Sequence, residues 1–426
     1  MAQTYGIRNR RARQRALLIA AGPDEHDLSE LGELLRTAGV AVAGEMTQRR
    51  ATPDPDRYFG KGKLSELKAA IKASDANVVA VDDELAPRQE RNLEAAIDTP
   101  VIDRTAVILD IFADHAGSAE GKLQVELAQL EYNMARMRGL WTHLERLGGS
   151  TGGGIATRGP GETQIETDRR LARSRIAALR RRLERTSGTR QTMRSERERA
   201  GLPTVALAGY TNAGKSTLLN ALTGAEVGVR DRLFHTLDPT TRQMEISGRT
   251  YLLTDTVGFI RKLPHQLVEA FGATLEEAMG ADLLLHVVDA SVPEAELHEM
   301  LSAVEDVLNE IGAGEVPTVL ALNKADLLDA ERRRELPFRF PKAVQVSAAT
   351  GEGLDDLRGA IEGRFLATLR PMELLVPYGE GGSLSELHQL AGDVEREDTP
   401  EGVVVRARVP AVAAARFERF ALNGKH

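Results

Sequence analysis

The stretch that most restricts how this chain can fold is GYTNAGKS, at residues 209–216. It fits the pattern G-x-x-x-x-G-K-[S/T], and it lies between the apolar run TVALAG and the helical pattern TLLNAL. Such a loop curls so that its backbone N–H groups face phosphate oxygens, which requires glycine at two points, a strand before it and a helix after it. The pattern therefore predicts an α/β domain with a phosphate-binding loop.

Three further motifs follow in the order that a GTP-hydrolysing site needs: LLTDTVG at 252–258, NKAD at 323–326 and SAA at 347–349. Asp255 would hold Mg²⁺ through water, and the Gly258 N–H would contact the γ-phosphate. Asp326 can accept hydrogen bonds from both N1–H and N2–H of guanine, whereas adenine has no N2 amine. Because a site built on such bonds discriminates by roughly 10⁴, we expect GTP as the substrate and Mg²⁺ as the cofactor.

The predicted GTP-binding residues come from the loop and these motifs: Gly209, Tyr210, Thr211, Asn212, Ala213, Gly214, Lys215, Ser216, Thr217, Asp255, Gly258, Asn323, Lys324, Asp326, Ser347 and Ala348. The predicted catalytic residues are Lys215, Thr236 and Gly258, and the predicted metal ligands are Ser216, Thr236 and, through water, Asp255.

A threonine before Asp255 should join Mg²⁺ when the γ-phosphate is present, and FHTLDPTTR offers Thr236, Thr240 and Thr241. Thr236 is selected because it precedes a Leu-x-Pro pattern seen in related sites. His235 beside it is interpreted as a solvent-facing histidine rather than a catalytic base.

The residue after Gly258 is Phe259. Ras-type GTPases have glutamine at this position, where it orients the attacking water. A phenyl ring neither donates nor accepts that hydrogen bond. Other groups must then position the water, and slow unassisted turnover is expected.

The rest of the chain suggests about three domains for 426 residues. We predict an N-terminal α/β domain at 1–115, a helical hairpin at 116–200, the GTPase domain with a mostly parallel sheet at 201–369 and a small C-terminal α/β domain at 370–426. FGKGK at 59–63 is interpreted mainly as a turn. The absence of cysteine excludes disulfides and thiolate metal sites, and no apolar run approaches the roughly 20 residues that span a bilayer. A soluble cytoplasmic protein without an integral membrane segment is expected; its oligomeric state is open.

The predicted hairpin pairs an apolar seam, Leu123 to Met137 at steps of three and four, with a stripe formed by Ile176, Leu179 and Leu183. Residues 158–199 contain thirteen arginines against six acidic residues, although the whole chain has a net charge of −8. A basic segment on an acidic protein indicates a local contact with nucleic acid, and a solvated helix with i, i+4 ion pairs is the alternative. The RNA-binding candidates are Arg158, Arg169, Arg170, Arg173, Arg180, Arg181 and Arg182. The glycine-rich loop between the helices is either a connector or a segment that folds against a partner.

Seven segments together resemble the HflX family of ribosome-associated GTPases, in the Obg-like branch: YFGKGK, VIDRT, GKLQVELAQLEY, GPGETQIETDRR, GYTNAGKSTLLNAL, TLDPTTR and LTDTVGFIRKLP. His235 lies where small residues are common in that family, and GGSTGGG is longer than usual. The resemblance implies binding to the large ribosomal subunit through the N-terminal domain and hairpin, with the glycine-rich loop reaching ribosomal RNA. It also implies GTP-dependent splitting of stalled or idle ribosomes under stress. A ribosome-assembly GTPase and a nucleotide-gated anti-association protein are the alternatives.

Related GTPases with the sequence NAGKS use the asparagine, here Asn212, to bind K⁺ between the phosphates. A cation at that point can replace an arginine finger. The alternative is that asparagine only tolerates the backbone angles of the loop. We therefore expect either K⁺ as a second cation at Asn212 or a purely conformational role for this residue.

Overall fold

The computed structural model describes residues 14–23, 26–148, 160–199, 202–224, 233–234, 239–262 and 272–422. The chain forms two compact units: Met1–Thr186 with Asp231–Leu237 and Lys262–Phe271, and Ser187–Arg230 with Asp238–Arg261 and Gly272–His426. The finer division into four segments stays a prediction.

The first unit contains a four-stranded parallel sheet with helices between its strands. Its strands are β1 Arg15–Gly22, β2 Ala41–Arg49, β3 Val78–Val81 and β4 Val101–Asp103, in the order β2-β1-β3-β4. Its helices are α1 Ser29–Thr37, α2 Lys61–Ser74, α3 Pro87–Ile97 and α4 Arg104–His115. Strands β1 and β3 are buried along most of their length. This agrees with their continuous apolar sequences, which are typical of strands in parallel sheets. The predicted α/β domain with a mostly parallel sheet is confirmed.

FGKGK was predicted to be mainly a turn, and this was wrong. Gly60 has an extended backbone (φ −68°, ψ 156°) and forms the N-cap of α2, so the remaining residues Lys61–Lys63 are helical. Phe59 before it is 1% exposed and packs in the core of the sheet. The segment therefore begins a helix. Buried Phe59 holds the chain against the sheet just before the N-cap, and Gly60 is the last extended residue before the helix.

Two long helices, α5 Ala119–Gly148 and α6 Pro160–Arg199, form the predicted helical pair. Leu127, Ile176 and Leu179 are buried together. The partly buried side chains around them are Leu123, Leu130, Met134 and Leu183. The predicted seam is confirmed over this stretch, whereas the Met137 side chain and the glycine-rich loop lie outside the described part.

The second unit contains a six-stranded sheet in which β6 alone runs antiparallel to its neighbour. The strands are β5 Thr204–Gly209, β6 Thr240–Ile246, β7 Arg249–Asp255, β8 Leu283–Asp289, β9 Thr318–Asn323 and β10 Val344–Gln345, in the order β10-β9-β8-β5-β7-β6. The helices described here are α7 Lys215–Thr223, α8 Gly272–Met279, α9 Glu294–Glu310, α10 Ala330–Arg339 and α11 Leu354–Thr368. The carboxyl ends of β5, β7, β8 and β9 meet at one edge, where the predicted motifs lie.

The chain ends in a small antiparallel sheet of β11 Arg370–Val376, β12 Gly392–Thr399 and β13 Gly402–Val409, in the order β11-β13-β12. Helices α12 Gly381–Leu390 and α13 Ala411–Phe417 accompany it. Leu374, Val405 and Phe417 form part of its core, as the predicted small α/β domain requires. Among the described residues, no helix combines the length and apolar character needed to cross a membrane.

Candidate nucleotide-binding site

The loop between β5 and α7 has the shape that a phosphate-binding loop needs. Gly214 is the N-cap of α7 and has φ +90°, and a Cβ at this position would collide with the Asn323 amide. Gly209 ends β5, and a Cβ there would collide with the Val287 carbonyl oxygen. Side chains are thus excluded at both glycines, and the first turn of α7, which includes Thr217, begins at this loop, where helix N–H groups can bind phosphate oxygens.

Lys215 lies under this loop and is buried. Its Nζ donates hydrogen bonds to the carbonyl oxygens of Gly209 (2.9 Å) and Tyr210 (2.8 Å). Burial lowers the pKa of Lys215 from its ordinary value to about 8, and the nearby Asp255 carboxylate opposes this effect. The loop therefore holds a single amine where phosphate oxygens would meet it, and bound phosphate would favour its charged form.

Two oxygen ligands suited to Mg²⁺ lie together beside the loop. The Ser216 hydroxyl donates to Asp255 Oδ2 at 2.6 Å, and the Asp255 carboxylate at the end of β7 is fully buried. In the described part of the chain, no group of three or more His, Asp or Glu side chains is placed to hold a metal. This pair fits Mg²⁺, which binds through few protein oxygens and completes its octahedron with water and substrate phosphate. When bound, Mg²⁺ neutralises charge that develops on the phosphates.

The third predicted ligand, Thr236, lies outside the described residues, as does His235. The two alternatives lie at the start of β6, where Thr240 faces Asp255 in the antiparallel register. The Thr241 hydroxyl shares a hydrogen bond of 2.9 Å with the Thr254 hydroxyl. Because Thr241 is engaged within the strand pair, the structure favours the other candidates, and the choice of Thr236 stays a prediction.

Phe259 is joined to the phosphate loop through its backbone. Its N–H donates to the Gly209 carbonyl oxygen (3.1 Å), and its carbonyl oxygen accepts from the Thr211 N–H (2.7 Å). The Phe259 side chain is 1% exposed. The ring therefore contributes to packing, and it cannot orient a water molecule.

Gly258 packs closely against the phosphate loop. A Cβ at this glycine would lie 2.8 Å from Thr211 Cγ2 and 3.1 Å from Lys215 Nζ. The glycine therefore lies beside the amine that would hold the phosphates. This position suits the predicted contact of its N–H with a γ-phosphate.

The two motifs predicted to recognise guanine, NKAD and SAA, lie together and contact the phosphate loop. Asn323 at the end of β9 donates from Nδ2 to the Ala213 carbonyl oxygen (2.8 Å), and its Oδ1 accepts from the Ala348 N–H (3.0 Å). Asp326 Oδ1 accepts from the Ser347 hydroxyl at 2.5 Å. Asn323 thus ties the phosphate loop to the base-binding loops, and Ser347 fixes the carboxylate that would read guanine.

Two residues of β8 belong to this site although the sequence analysis did not select them. Asp289 Oδ2 lies 2.6 Å from Lys324 Nζ and anchors the NKAD loop. His286 is buried, and burial followed by the positive charge of Lys215 lowers its pKa to about 4. The position of Asp289 at the carboxyl end of a central strand was the available signal. His286 offered none, since it lies within an apolar run.

The arginine candidates on α6 separate into two groups. Arg180 pairs with Glu131 on α5 (2.7 Å), as the neighbouring Arg175 does with Glu126 (2.7 Å). The other described candidates are mostly exposed: Arg169, Arg170, Arg173, Arg181 and Arg182. Arg158 lies outside the described residues. RNA binding by these arginines stays a prediction.

Family models match three consecutive stretches of the chain. They are described as GTP-binding GTPase N-terminal at residues 25–113, GTP-binding GTPase Middle Region at 115–197 and 50S ribosome-binding GTPase at 204–324.

Curated relatives match over almost the whole length. The GTPase HflX of Caldanaerobacter subterraneus subsp. tengcongensis is 46% identical over 417 residues, which are 97% of this chain and 95% of the relative. The GTPase HflX of Escherichia coli is 47% identical over 395 residues, 91% of each chain. Because these relatives match over more than nine tenths of the chain, the chain is a GTP-hydrolysing enzyme and belongs to the HflX family of GTPases.

Proposed function

We propose that this GTPase binds the large ribosomal subunit through its N-terminal domain and helical pair, and that its nucleotide cycle drives the splitting or rescue of stalled or idle ribosomes under stress. The main support for this proposal is the large number of arginines on one helix, α6, in a chain whose net charge is −8. The 50S ribosome-binding GTPase model over 204–324 supports the same partner. Ribosome binding also implies a cytoplasmic location.

The charges on α6 support an RNA contact at specific positions. Arg175 and Arg180 are neutralised by glutamates of α5. Within the described part of the chain, Arg173, Arg181 and Arg182 make no ion pair and are exposed. Unpaired, exposed guanidinium groups on a rigid helix suit phosphate oxygens, which they bind with two parallel hydrogen bonds. The proposed RNA-facing set is therefore narrower than the full row.

Sedimentation with purified ribosomal subunits in GTP, in GDP and in a non-hydrolysable GTP analogue tests the proposal. We expect co-sedimentation with the large subunit in GTP and the analogue, and weaker binding in GDP. If the analogue supports one round of splitting, hydrolysis serves only for release, as in an anti-association protein. Binding to precursor particles in preference to mature subunits would favour the ribosome-assembly alternative. Absence of binding in every nucleotide state would contradict the proposal.

A matched pair of variants tests the arginine assignment. Replacing Arg173, Arg181 and Arg182 with glutamine should weaken binding to the large subunit and reduce the slope of log affinity against log salt by about 2 to 3. Replacing Arg175 and Arg180 with glutamine removes charges that the glutamates already neutralise, so the slope should change less. Equal slopes for the two variants would show that α6 is only a solvated helix.

We further propose that the subunit completes the catalytic site. Free GTPases that lack a stabilising group turn over at roughly 10⁻⁴ to 10⁻² per second, and a partner that supplies it adds on the order of 10³. Steady-state hydrolysis with and without large subunits measures this effect. Mg²⁺ is the proposed cofactor, and rates should fall to background when it is chelated.

A further inference from the structure

The side chain of Lys324 in the NKAD motif is held by an aspartate of a neighbouring strand. Lys324 Nζ lies 2.6 Å from Asp289 Oδ2, and both residues belong to the second unit. Asp289 is the last residue of β8 and is paired in the parallel register with Asn323, the last residue of β9. The ion pair therefore joins the carboxyl end of β8 to the turn that follows β9.

Asp289 is itself fixed by a second contact. Its Oδ1 accepts hydrogen bonds from the Ser291 N–H (2.9 Å) and from the Ser291 hydroxyl (2.5 Å). The Asp289 side chain is 13% exposed, and that of Lys324 is 27% exposed. Because Ser291 engages one carboxylate oxygen and Lys324 the other, the carboxylate can hold the ammonium group in one place.

The backbone of Lys324 adopts a conformation that needs support. Lys324 has φ +64° and ψ +34°, a left-handed conformation that costs a non-glycine residue about 1–2 kcal/mol. It precedes the short 3₁₀ helix Ala325–Leu327, and its carbonyl oxygen accepts from the Leu327 N–H at 3.0 Å. Because the ion pair with Asp289 forms in this conformation, it offsets part of that cost.

The left-handed turn lies between the two residues of NKAD that contact other loops of the site. Asn323 before the turn donates to the Ala213 carbonyl oxygen of the phosphate loop (2.8 Å), and Asp326 after it accepts from the Ser347 hydroxyl (2.5 Å). A change of backbone conformation at Lys324 would change the direction in which Asp326 leaves the chain relative to Asn323. The orientation of the Asp326 carboxylate thus depends on the conformation of Lys324.

The same turn has another anchor on α10. Arg333 donates from Nη2 to the Ala325 carbonyl oxygen (2.6 Å), and its Nη1 pairs with Glu352 (2.6 Å). Loss of the Asp289 contact should therefore loosen the turn without unfolding it. The expected effect is a partial loss of base recognition.

We infer that Asp289 is a positioning residue for guanine recognition: its ion pair with Lys324 holds the left-handed turn that directs the Asp326 carboxylate toward the N1–H and N2–H groups of the base. This role requires that Asp326 reads guanine, as the sequence predicts, and it does not require ribosome binding. GTP and GDP carry the same base, so Asp289 should affect the binding of both by the same factor.

The test compares guanosine with inosine nucleotides in the full-length protein, because hypoxanthine differs from guanine only in lacking the N2 amine. In Asp289→Asn, the ratio of the affinity for GDP to the affinity for inosine diphosphate should fall by about threefold to tenfold. The affinities for GDP and for a non-hydrolysable GTP analogue should fall together. Competition titrations against a fluorescent nucleotide supply these numbers.

Lys324→Gly provides the second arm, because glycine adopts the left-handed conformation readily and has no side chain for Asp289 to hold. In this background, Asp289→Asn should leave the affinity ratio as it is. Lys324→Met loses the ion pair and keeps the backbone cost, so its ratio should be lower than that of Lys324→Gly. Asp398→Asn, which breaks the exposed Arg396–Asp398 pair (2.8 Å) in the same unit, is the matched control and should keep the native ratio. Thermal unfolding of each variant checks folding.

Asp326→Ala shows whether the assignment of the base site is itself correct. Its affinity ratio should fall to about one, because no carboxylate remains to accept from the N2 amine. A native ratio in this variant would remove Asp326 from the base site, and the role of Asp289 would fall with it. If Asp326→Ala loses the preference for guanine and Asp289→Asn keeps it, Asp289 has only a structural role. A further loss on adding Asp289→Asn to Lys324→Gly would show that Asp289 does not act through Lys324, which also contradicts the inference.

Discussion

The parallel sheets of the two units end differently at their carboxyl edges. In the second unit, β5 is followed by the predicted phosphate-binding loop with a glycine at each end, and the predicted Mg²⁺ ligands Ser216 and Asp255 lie beside it. In the first unit, the strand order reverses between β1 and β3, which is where open α/β sheets usually bind ligands. There the carboxylates of Asp82 and Asp103 are bound by Arg104 and Arg136. The carboxyl edge of the second sheet thus has groups suited to a nucleotide, whereas arginines of the protein itself bind the carboxylates at the carboxyl edge of the first sheet.

The difference shows where each edge obtains its positive charge. At the first edge the charges are resident, buried and hydrogen-bonded. At the second, the buried amine of Lys215 lies beside the phosphate loop, and a Mg²⁺ ion bound with the nucleotide would supply further positive charge. A shared topology therefore does not imply a shared function. Changes at the second edge should alter nucleotide binding, whereas changes at the first should alter stability.

The largest expected effect concerns base recognition at the second edge. In Asp326→Asn, the new amide can donate to the carbonyl that xanthine has in place of the N2 amine of guanine. Preference should move from GTP toward xanthosine triphosphate by about 10³ or more. Competition binding of the two nucleotides measures the change.

Asp329→Asn is the matched control for this prediction. Asp329 is the N-cap of α10 and accepts from the Arg332 N–H at 2.8 Å, and asparagine caps helices equally well. Its base preference should stay that of the native protein. If Asp326→Asn also kept its preference for GTP, Asp326 would not be part of the base site.

At the first edge, Arg104→Met should lower the free energy of unfolding by about 3–5 kcal/mol, because it removes the guanidinium group that pairs with two buried carboxylates. Arg104 is 3% exposed and pairs with Glu30 and Asp82. Denaturant unfolding measures this loss, and base preference should not change. Arg88→Met, which breaks the exposed pair with Asp56, should cost less than about 1 kcal/mol. Similar costs for the two variants would remove the contrast between the edges.

The sequence predicted the second edge far better than the first. The phosphate loop and the adjacent Ser216 and Asp255 belong to short motifs with fixed backbone requirements, so local patterns were sufficient to bring them together. The partly exposed edge strands β2 and β6 were not predicted, because they contain polar residues and lack a continuous apolar run. The pair of Lys262 with Asp83 joins residues 179 positions apart. Such ion pairs depend on the folded chain and leave no local pattern.

The pH dependence of GTP binding tests whether the positively charged Lys215 amine contributes to nucleotide binding at the second edge. Burial lowers its pKa to about 8, and bound phosphates should raise it again. Below pH 8 the amine is charged in both states and affinity should stay constant. Between pH 8 and 9 the free protein loses the proton that the complex retains, so affinity should fall by about tenfold per pH unit at most.

Calorimetry in buffers of different ionisation enthalpy checks the predicted proton uptake on binding. The folding stability of the nucleotide-free protein should change with pH in the opposite direction to the nucleotide affinity. The lowered native pKa means that the unfolded chain holds more protons between pH 8 and the ordinary lysine value, so this group makes stability rise with pH in that window. Lys215→Arg should remove the pH slope of affinity, since guanidinium stays charged. A flat profile for the native protein would show that Lys215 is charged in both states.

The smallest expected effect is the dependence of turnover on K⁺, which would be a bound cation in addition to the charged side chains of the protein. Asn212 is exposed and has φ +60°, a left-handed conformation that asparagine tolerates well, so the backbone alone could explain the residue. If Asn212 also binds K⁺, turnover should be a few-fold higher in K⁺ than in Na⁺ at equal ionic strength and constant Mg²⁺. Asn212→Gly keeps the backbone conformation and should abolish the difference, whereas Asn212→Asp keeps an oxygen ligand and should preserve it. Equal native rates in both salts would assign Asn212 to loop geometry and leave Mg²⁺ as the only cation that this edge takes up with GTP.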